Sequence, residues 1–228
     1  LKALSEKSPH IFISVLRECK ALTVILPEVD KLFDVPQRAD LYSKTVAGFH
    51  TLATLERSAQ LSDSSKVRFA TLVRDVGKGV TPAEVLPNHN GYEVAGLKLV
   101  DSLCDRLKTP KHYRELALLV VKNHVNCHRV QQLQPSTLLK LLMEIGARKS
   151  TNNLEAFLLC CEADAFGMLE FENENYTPSR YLREARQVIM DTKASDLVKS
   201  GLSNYEIGKE IRLLQTSQLS NFKKQFDA

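Results

Sequence analysis

One arrangement of side chains spread along this chain could hold a cation or take its place: His50, Arg74, Asp75, His89, His124 and Asp164. Imidazoles and carboxylates are ligands for a divalent metal, and residues far apart in sequence can converge in the core of a helical bundle. Any chain with six histidines offers such sets, and a single helical histidine is more often a hydrogen-bonded core or surface residue. Other chemistries lack their parts. The sequence has no G-x-x-x-x-G-K-[ST] phosphate loop, no G-x-G-x-x-G and no H-E-x-x-H. It has no Asp-x-Asp pair to hold two magnesium ions for nucleotidyl transfer. Its five cysteines, Cys19, Cys104, Cys127, Cys160 and Cys161, include no C-x-x-C pair. That pattern predicts a reducing compartment and cysteines used as small core hydrophobes.

These candidate groups must be carried by helices. Among the 228 residues, 43% are hydrophobic and 25% charged, the balance of a folded domain and not of a disordered or low-complexity chain. The densest apolar run, Leu116 to Val121, is bounded by Glu115 and Lys122 and is far too short to span a bilayer. No basic-then-apolar leader opens the chain. It begins with Leu and not Met, which predicts a piece of something longer or a processed product. The net charge of +4 leans only slightly toward polyanions.

Apolar residues recur at three- and four-residue steps almost throughout. Ser8-Pro9 reads as a helix start for a segment over Ile11 to Leu26, with Pro27 as its stop. A second helix is expected from Lys44 to Leu61, its stripe formed by Val46, Phe49, Leu52, Ala53 and Leu55. A third runs from Lys66 to Val76. Two prolines and three glycines make 77–91 a loop. Further helices are expected over 92–107, 110–127, 135–145, 150–166 and 178–191, with two short ones over 204–214 and 217–226. The expected class is all-α, with about ten helices and short connections. Glu170, Glu172 and Glu174 form an acidic patch. Lys209, Arg212, Lys223 and Lys224 put positive charge in the tail, read first as a solvated amphipathic face and second as a nucleic-acid contact.

The stretch Arg68-Phe-Ala-Thr-Leu-Val-Arg-Asp-Val-Gly-Lys-Gly79, followed by Thr81-Pro82, resembles the central motif of the HD superfamily of metal-dependent phosphohydrolases. More narrowly, it resembles the version in bacterial tRNA nucleotidyltransferases, the CCA-adding enzymes. Phe12 to Phe33 looks like the approach to the HD domain in that family, and Gly48-Phe-His-Thr-Leu52 like its first metal-ligand helix. Pro87-Asn-His-Asn-Gly91 with Ala95-Gly96, Glu162-Ala-Asp164, Arg180-Tyr-Leu-Arg183 and the tail from Gly201 to Lys224 follow in the family's order. The resemblance covers nearly the whole chain and implies a C-terminal portion: 1–35 as the end of a neck, 36–168 as a helical HD-type domain and 169–228 as a helical tail. In that family the nucleotidyl-transfer centre, with its magnesium and CTP or ATP, lies in an N-terminal head that nothing here resembles.

The departures bear on the chemistry. The motif's His-Asp pair reads Arg74-Asp75, its later histidine falls on Tyr92, and a second His-Asp pair reads His124-Val125. His50, Asp75, His124 and Asp164 are kept, with His89 and His128 nearby. Arginine stays protonated and offers no lone pair to a metal. The expected site is therefore degenerate, with Arg74 replacing a ligand and pairing with Asp75 or Asp164, or else pointing to solvent. The first expectation is a cytoplasmic tRNA-positioning region without intrinsic phosphohydrolase activity and without a cofactor of its own. Lys44, Lys78, Lys98, Lys122, Arg129 and Lys140 are candidate phosphate contacts. The alternatives are a metal-dependent phosphatase, 2′-nucleotidase or 2′,3′-cyclic phosphodiesterase, and a non-catalytic oligomerisation module.

Overall fold

The computed structural model describes residues 1–42, 44, 46–146, 151–166, 168, 176–192 and 203–226. The class is all-α. Among the described residues the only β contacts are two isolated antiparallel bridges, Pro36 with Val46 and Tyr42 with Met168. None of the described helices is long and apolar enough to cross a membrane. The acidic patch of Glu170, Glu172 and Glu174 lies outside the described residues.

The chain divides into two compact units, one of Leu1–His124 with Glu155–Tyr176, the other of Val125–Leu154 with Thr177–Ala228. They do not follow the divisions at 35 and 168 that the resemblance implied. The first 35 residues bury Leu22, Val29 and Leu32 inside the first unit.

In the first unit, Pro9 occupies the start of α1 (Pro9–Glu18), where a missing N–H costs nothing. Ser8 holds the cap position through its carbonyl, which accepts from the Ile11 amide, and its side chain makes no cap bond. The single helix expected to Leu26 instead ends at Glu18, because Lys20 turns left-handed at φ 60°. Two one-turn helices follow, α2 (Leu22–Ile25) and α3 (Pro27–Asp30). Pro27 opens α3 where it was expected only to stop its predecessor.

Next come α4 (Ala47–Leu61) and α5 (Ser65–Val73), which pack against each other. From Val67 to Val73 every residue of α5 is buried. Within this stretch the Arg68 guanidinium donates to four backbone carbonyls, those of Leu4, Glu6, Ala59 and Ser62, at 2.8–3.3 Å. It thereby gives donors to carbonyl groups at the end of α4 and in the segment before α1.

The segment read as a loop contains 3₁₀ turns at Val76–Val80 and Ala83–Val85. The first lies hard against α6 (Tyr92–Arg106), where a Cβ on Gly77 would stand 2.0 Å from the Tyr92 carbonyl oxygen. Only glycine permits that approach. The remaining helices are α7 (Lys111–His128) and α9 (Thr151–Ala165), with α8 (Pro135–Glu144) between them in sequence.

The second unit has α8, α10 (Thr177–Met190) and α11 (Asn204–Phe226). The two short closing helices expected are one continuous helix, as no proline or glycine separates Leu214 from Ser217. Its core includes Tyr181, tilted against Phe222 at 4.9 Å and edge-to-face with Phe226 at 4.8 Å between ring centroids, and the buried Leu138, Leu142 and Leu219.

Candidate functional site

The core-facing side of α4 is unusual in composition, and that is the first sign of a site. Of the expected stripe of Val46, Phe49, Leu52, Ala53 and Leu55, Leu55 alone is fully buried. Phe49 is 48% exposed, while Ala47, His50, Thr51, Thr54, Leu55 and Ser58 are buried. A helix that buries two threonines, a serine and a histidine must give them partners. Thr51 and Ser58 bond carbonyls of their own helix. Thr54 and His50 face a group of ionisable side chains.

Four elements supply that group. His50 comes from α4, Arg74 and Asp75 from the end of α5, Lys78 from the 3₁₀ turn that follows, and Asp164 from α9. All are buried, and Arg74 is wholly inaccessible at 0%. Arg74 Nη2 lies 2.7 Å from Asp164 Oδ1 and 3.3 Å from Asp75 Oδ2, and donates to Thr54 Oγ1 at 2.9 Å. Its Nη1 donates to the Thr71 carbonyl at 3.0 Å. Thr54 in turn donates to the His50 carbonyl. The reading of Arg74 as a solvent-facing side chain is thus set aside, because two carboxylates meet its guanidinium inside the unit.

Lys78 corrects another expectation. It was a candidate phosphate contact, yet it is 3% exposed. Its Nζ donates to Gln37 Oε1 at 2.8 Å, pairs with Asp75 Oδ1 at 3.2 Å, and sits 5.0 and 5.1 Å from the ring centroids of Tyr42 and Tyr92. A buried ammonium needs this much compensation, and none of it is open to a phosphate. Gln37, Tyr42 and Thr54 carried no signal in the sequence. Lys78 carried one: it stands three residues after Asp75, within reach along a helical turn.

His50 Nε2 is 2.8 Å from the same Asp164 oxygen that Arg74 meets, so its N–H donates to the carboxylate. Burial, helped by the neighbouring guanidinium, lowers the His50 pKa, which keeps the ring neutral. His124 donates through Nδ1 to the Val120 carbonyl at 2.8 Å, leaving Nε2 2.8 Å from the Tyr92 hydroxyl and 3.6 Å from Asp75 Oδ1. Here burial opposes protonation, and the Asp75 carboxylate outweighs it, so the His124 pKa is raised. Burial would also raise Asp75, but Lys78 and Arg74 hold its carboxyl well below the ordinary value. Against the cost of burial, Asp164 and Asp75 raise the Arg74 pKa further. Burial and Asp75 push the Tyr92 phenol well above its usual value. Two cations face two carboxylates, and the charge of the cluster balances internally.

His50, Asp75 and Asp164 each bring a ligand atom within 4.8 Å of the others, a donor set that by composition suits a divalent ion. The geometry does not leave that set free. Arg74 Nη2 is bonded to the Asp164 oxygen and lies beside the Asp75 carboxylate, and the His50 Nε2 that would coordinate carries a proton. These residues therefore do not fit a metal.

The remaining candidates do not bond to the Arg74 cluster in the contacts described. His89 is held between Thr81 Oγ1 at 2.9 Å and the Pro36 carbonyl at 3.0 Å, and His128 belongs to the second unit. Lys44, Lys98 and Lys122 are exposed in the first unit, Arg129 and Lys140 in the second. In the tail, Lys209, Arg212 and Lys224 are exposed, whereas Lys223 donates to the Leu133 carbonyl at 3.1 Å and to that of Gln131.

No family model matches the sequence. Among curated proteins, it is 41% identical over 225 residues to the multifunctional CCA protein of Thioalkalivibrio sulfidiphilus, covering 99% of this chain and 55% of that protein. The multifunctional CCA protein of Teredinibacter turnerae is also 41% identical, over 95% of this chain and 55% of its own length. That of Acinetobacter baumannii strain AYE is 40% identical over 98% of this chain and 54% of its own. The chain spans about half the length of the curated relatives it matches.

Proposed function

Since the chain belongs to the family of multifunctional CCA proteins, we propose that it is the part of a CCA-adding tRNA nucleotidyltransferase that holds tRNA while a separate head adds the 3′-terminal nucleotides. The observation that carries this reading is the 40–41% identity to CCA proteins over 95–99% of the chain. Nucleotidyl transfer needs paired carboxylates for metal ions, and this sequence has no Asp-x-Asp to offer them. Magnesium and CTP or ATP therefore belong to the head, and the role left to these helices is positioning. The setting is the cytoplasm, where tRNA is matured.

Positioning works through phosphates. Exposed Lys44, Lys98, Lys122, Arg129 and Lys140 can neutralise the backbone of the tRNA without reading its bases. The hydrolytic activity that the HD resemblance implied is lost in this reading. Arg74 occupies the ligand set, and the residues around it are buried from any phosphate ester.

The test is fluorescence anisotropy with a labelled tRNA transcript lacking its CCA end, titrated with this chain at rising salt. Affinity should fall steeply and log-linearly as counterions compete. Binding indifferent to salt, or no binding by a folded chain, overturns the positioning role. One observation favours a metal-dependent phosphohydrolase instead, the convergence of His50, Asp75 and Asp164. That reading requires phosphate release from an aryl phosphate or a 2′-nucleotide with added manganese, nickel or cobalt.

A further inference from the structure

The buried cluster invites a question that tRNA binding does not answer: why are four charged side chains kept where no substrate reaches them? Removing charges from water is costly, and a group left without a partner is strongly destabilising. The cluster meets that cost from within. Asp164 on α9 is bonded at one oxygen by His50 of α4 and Arg74 at the end of α5. Asp75 is paired with Arg74 and Lys78, and Lys78 reaches on to Gln37. Thr54 links the guanidinium back to α4. A divalent ion held by His50, Asp75 and Asp164 would join these same elements. Here a guanidinium does so, with directed N–H donors in place of coordination bonds.

We propose that this cluster is a metal-independent ionic staple of the first unit, in which Arg74 performs the joining that a divalent ion would perform between the same ligands. The inference is independent of the tRNA-holding role, since the staple acts on the fold whether or not the surface binds RNA. Two consequences follow. The chain has no divalent cation requirement for stability. Exchanging Arg74 for a ligand residue vacates the position and makes the first unit responsive to metal.

Thermal unfolding of the whole chain, followed by circular dichroism in EDTA and in millimolar manganese or nickel, tests both. Wild type is expected to melt at the same temperature in each buffer. A metal-induced rise that Asp164→Asn abolishes would show an ion bound despite the arginine and would overturn the proposal. Arg74→His is expected to melt lower in EDTA and to recover by about 5–10 °C at a hundredfold excess of metal over its dissociation constant. A folded Arg74→His that ignores metal also overturns it. If that variant cannot be recovered folded in either buffer, Thr54→Ala decides. Loss of one bond to the guanidinium should lower the melting temperature by about 3–6 °C equally with and without metal. No loss means that the arginine is not a staple.

Discussion

At His50 and His124 the same contest between burial and carboxylates ends in opposite directions, because burial prevails at His50 and the Asp75 carboxylate prevails at His124. His50 donates its Nε2–H as a hydrogen bond to a carboxylate that a guanidinium already meets, and burial keeps the ring neutral. His124 faces Asp75 across 3.6 Å and is drawn toward protonation. Histidine NMR titrations should find His50 below the free value of about 6.5 and His124 above it. Both on one side would contradict this geometry. The stability signs follow. The contribution of His124 is fully present below the free value and fades as pH rises through its raised pKa. That of His50 is present above the free value and fades on acidification. Asp75, depressed by Lys78 and Arg74, supports the fold at neutral pH and ceases to do so as pH falls below about 4 toward its lowered pKa. Asp75→Asn should therefore melt lower than wild type at pH 7 but lose less on going from pH 5 to 3. His50, Asp75, His124 and Asp164 were legible in the sequence because their types and order match a known motif. Lys78 was misassigned because a lysine between glycines reads as surface, and nothing local reveals that two tyrosines and Gln37 enclose it.

At the scale of elements, side chains that serve the backbone decide where helices stop and meet. Arg68 binds carbonyls from two segments that periodicity analysis treats separately. Lysine has no planar fork to imitate it. Arg68→Lys should destabilise the chain by roughly 2 kcal/mol or more in urea unfolding, as buried acceptors lose their donors. Gly77→Ala should cost about 3 kcal/mol, since its methyl group would collide with the Tyr92 carbonyl. An unchanged midpoint would mean that the turn at Val76–Val80 can move away from α6. Helix existence was legible in most places because apolar spacing reports it directly. The break after Glu18 was not, because a lysine at positive φ has no sequence signature. Nor was the buried face of α4, since hydrophobicity points to Phe49 and the site demands the polar side.

For the molecule as a whole, the proposed tRNA-holding role rests on the charge that remains outside once internal pairs are discounted. Arg74 and Lys78 are neutralised within the protein, and Lys223 is turned to backbone carbonyls. Charge reversal at Lys98 or Lys140 should weaken tRNA binding and reduce its logarithmic salt slope by about one for each phosphate no longer neutralised. Reversal that leaves both unchanged would exclude that residue from the interface. The first unit is also discontinuous in sequence: residues 1–124 need 155–176 to complete them. The counter-anion of Arg74, Asp164, is the late arrival. A ribosome must therefore translate past the Asp164 codon before the helices of residues 1–124 can lock, and a nascent chain stalled earlier leaves the Arg74 guanidinium without one of its two carboxylates. Premature termination anywhere before that codon should yield aggregation-prone polypeptide and not a smaller working domain.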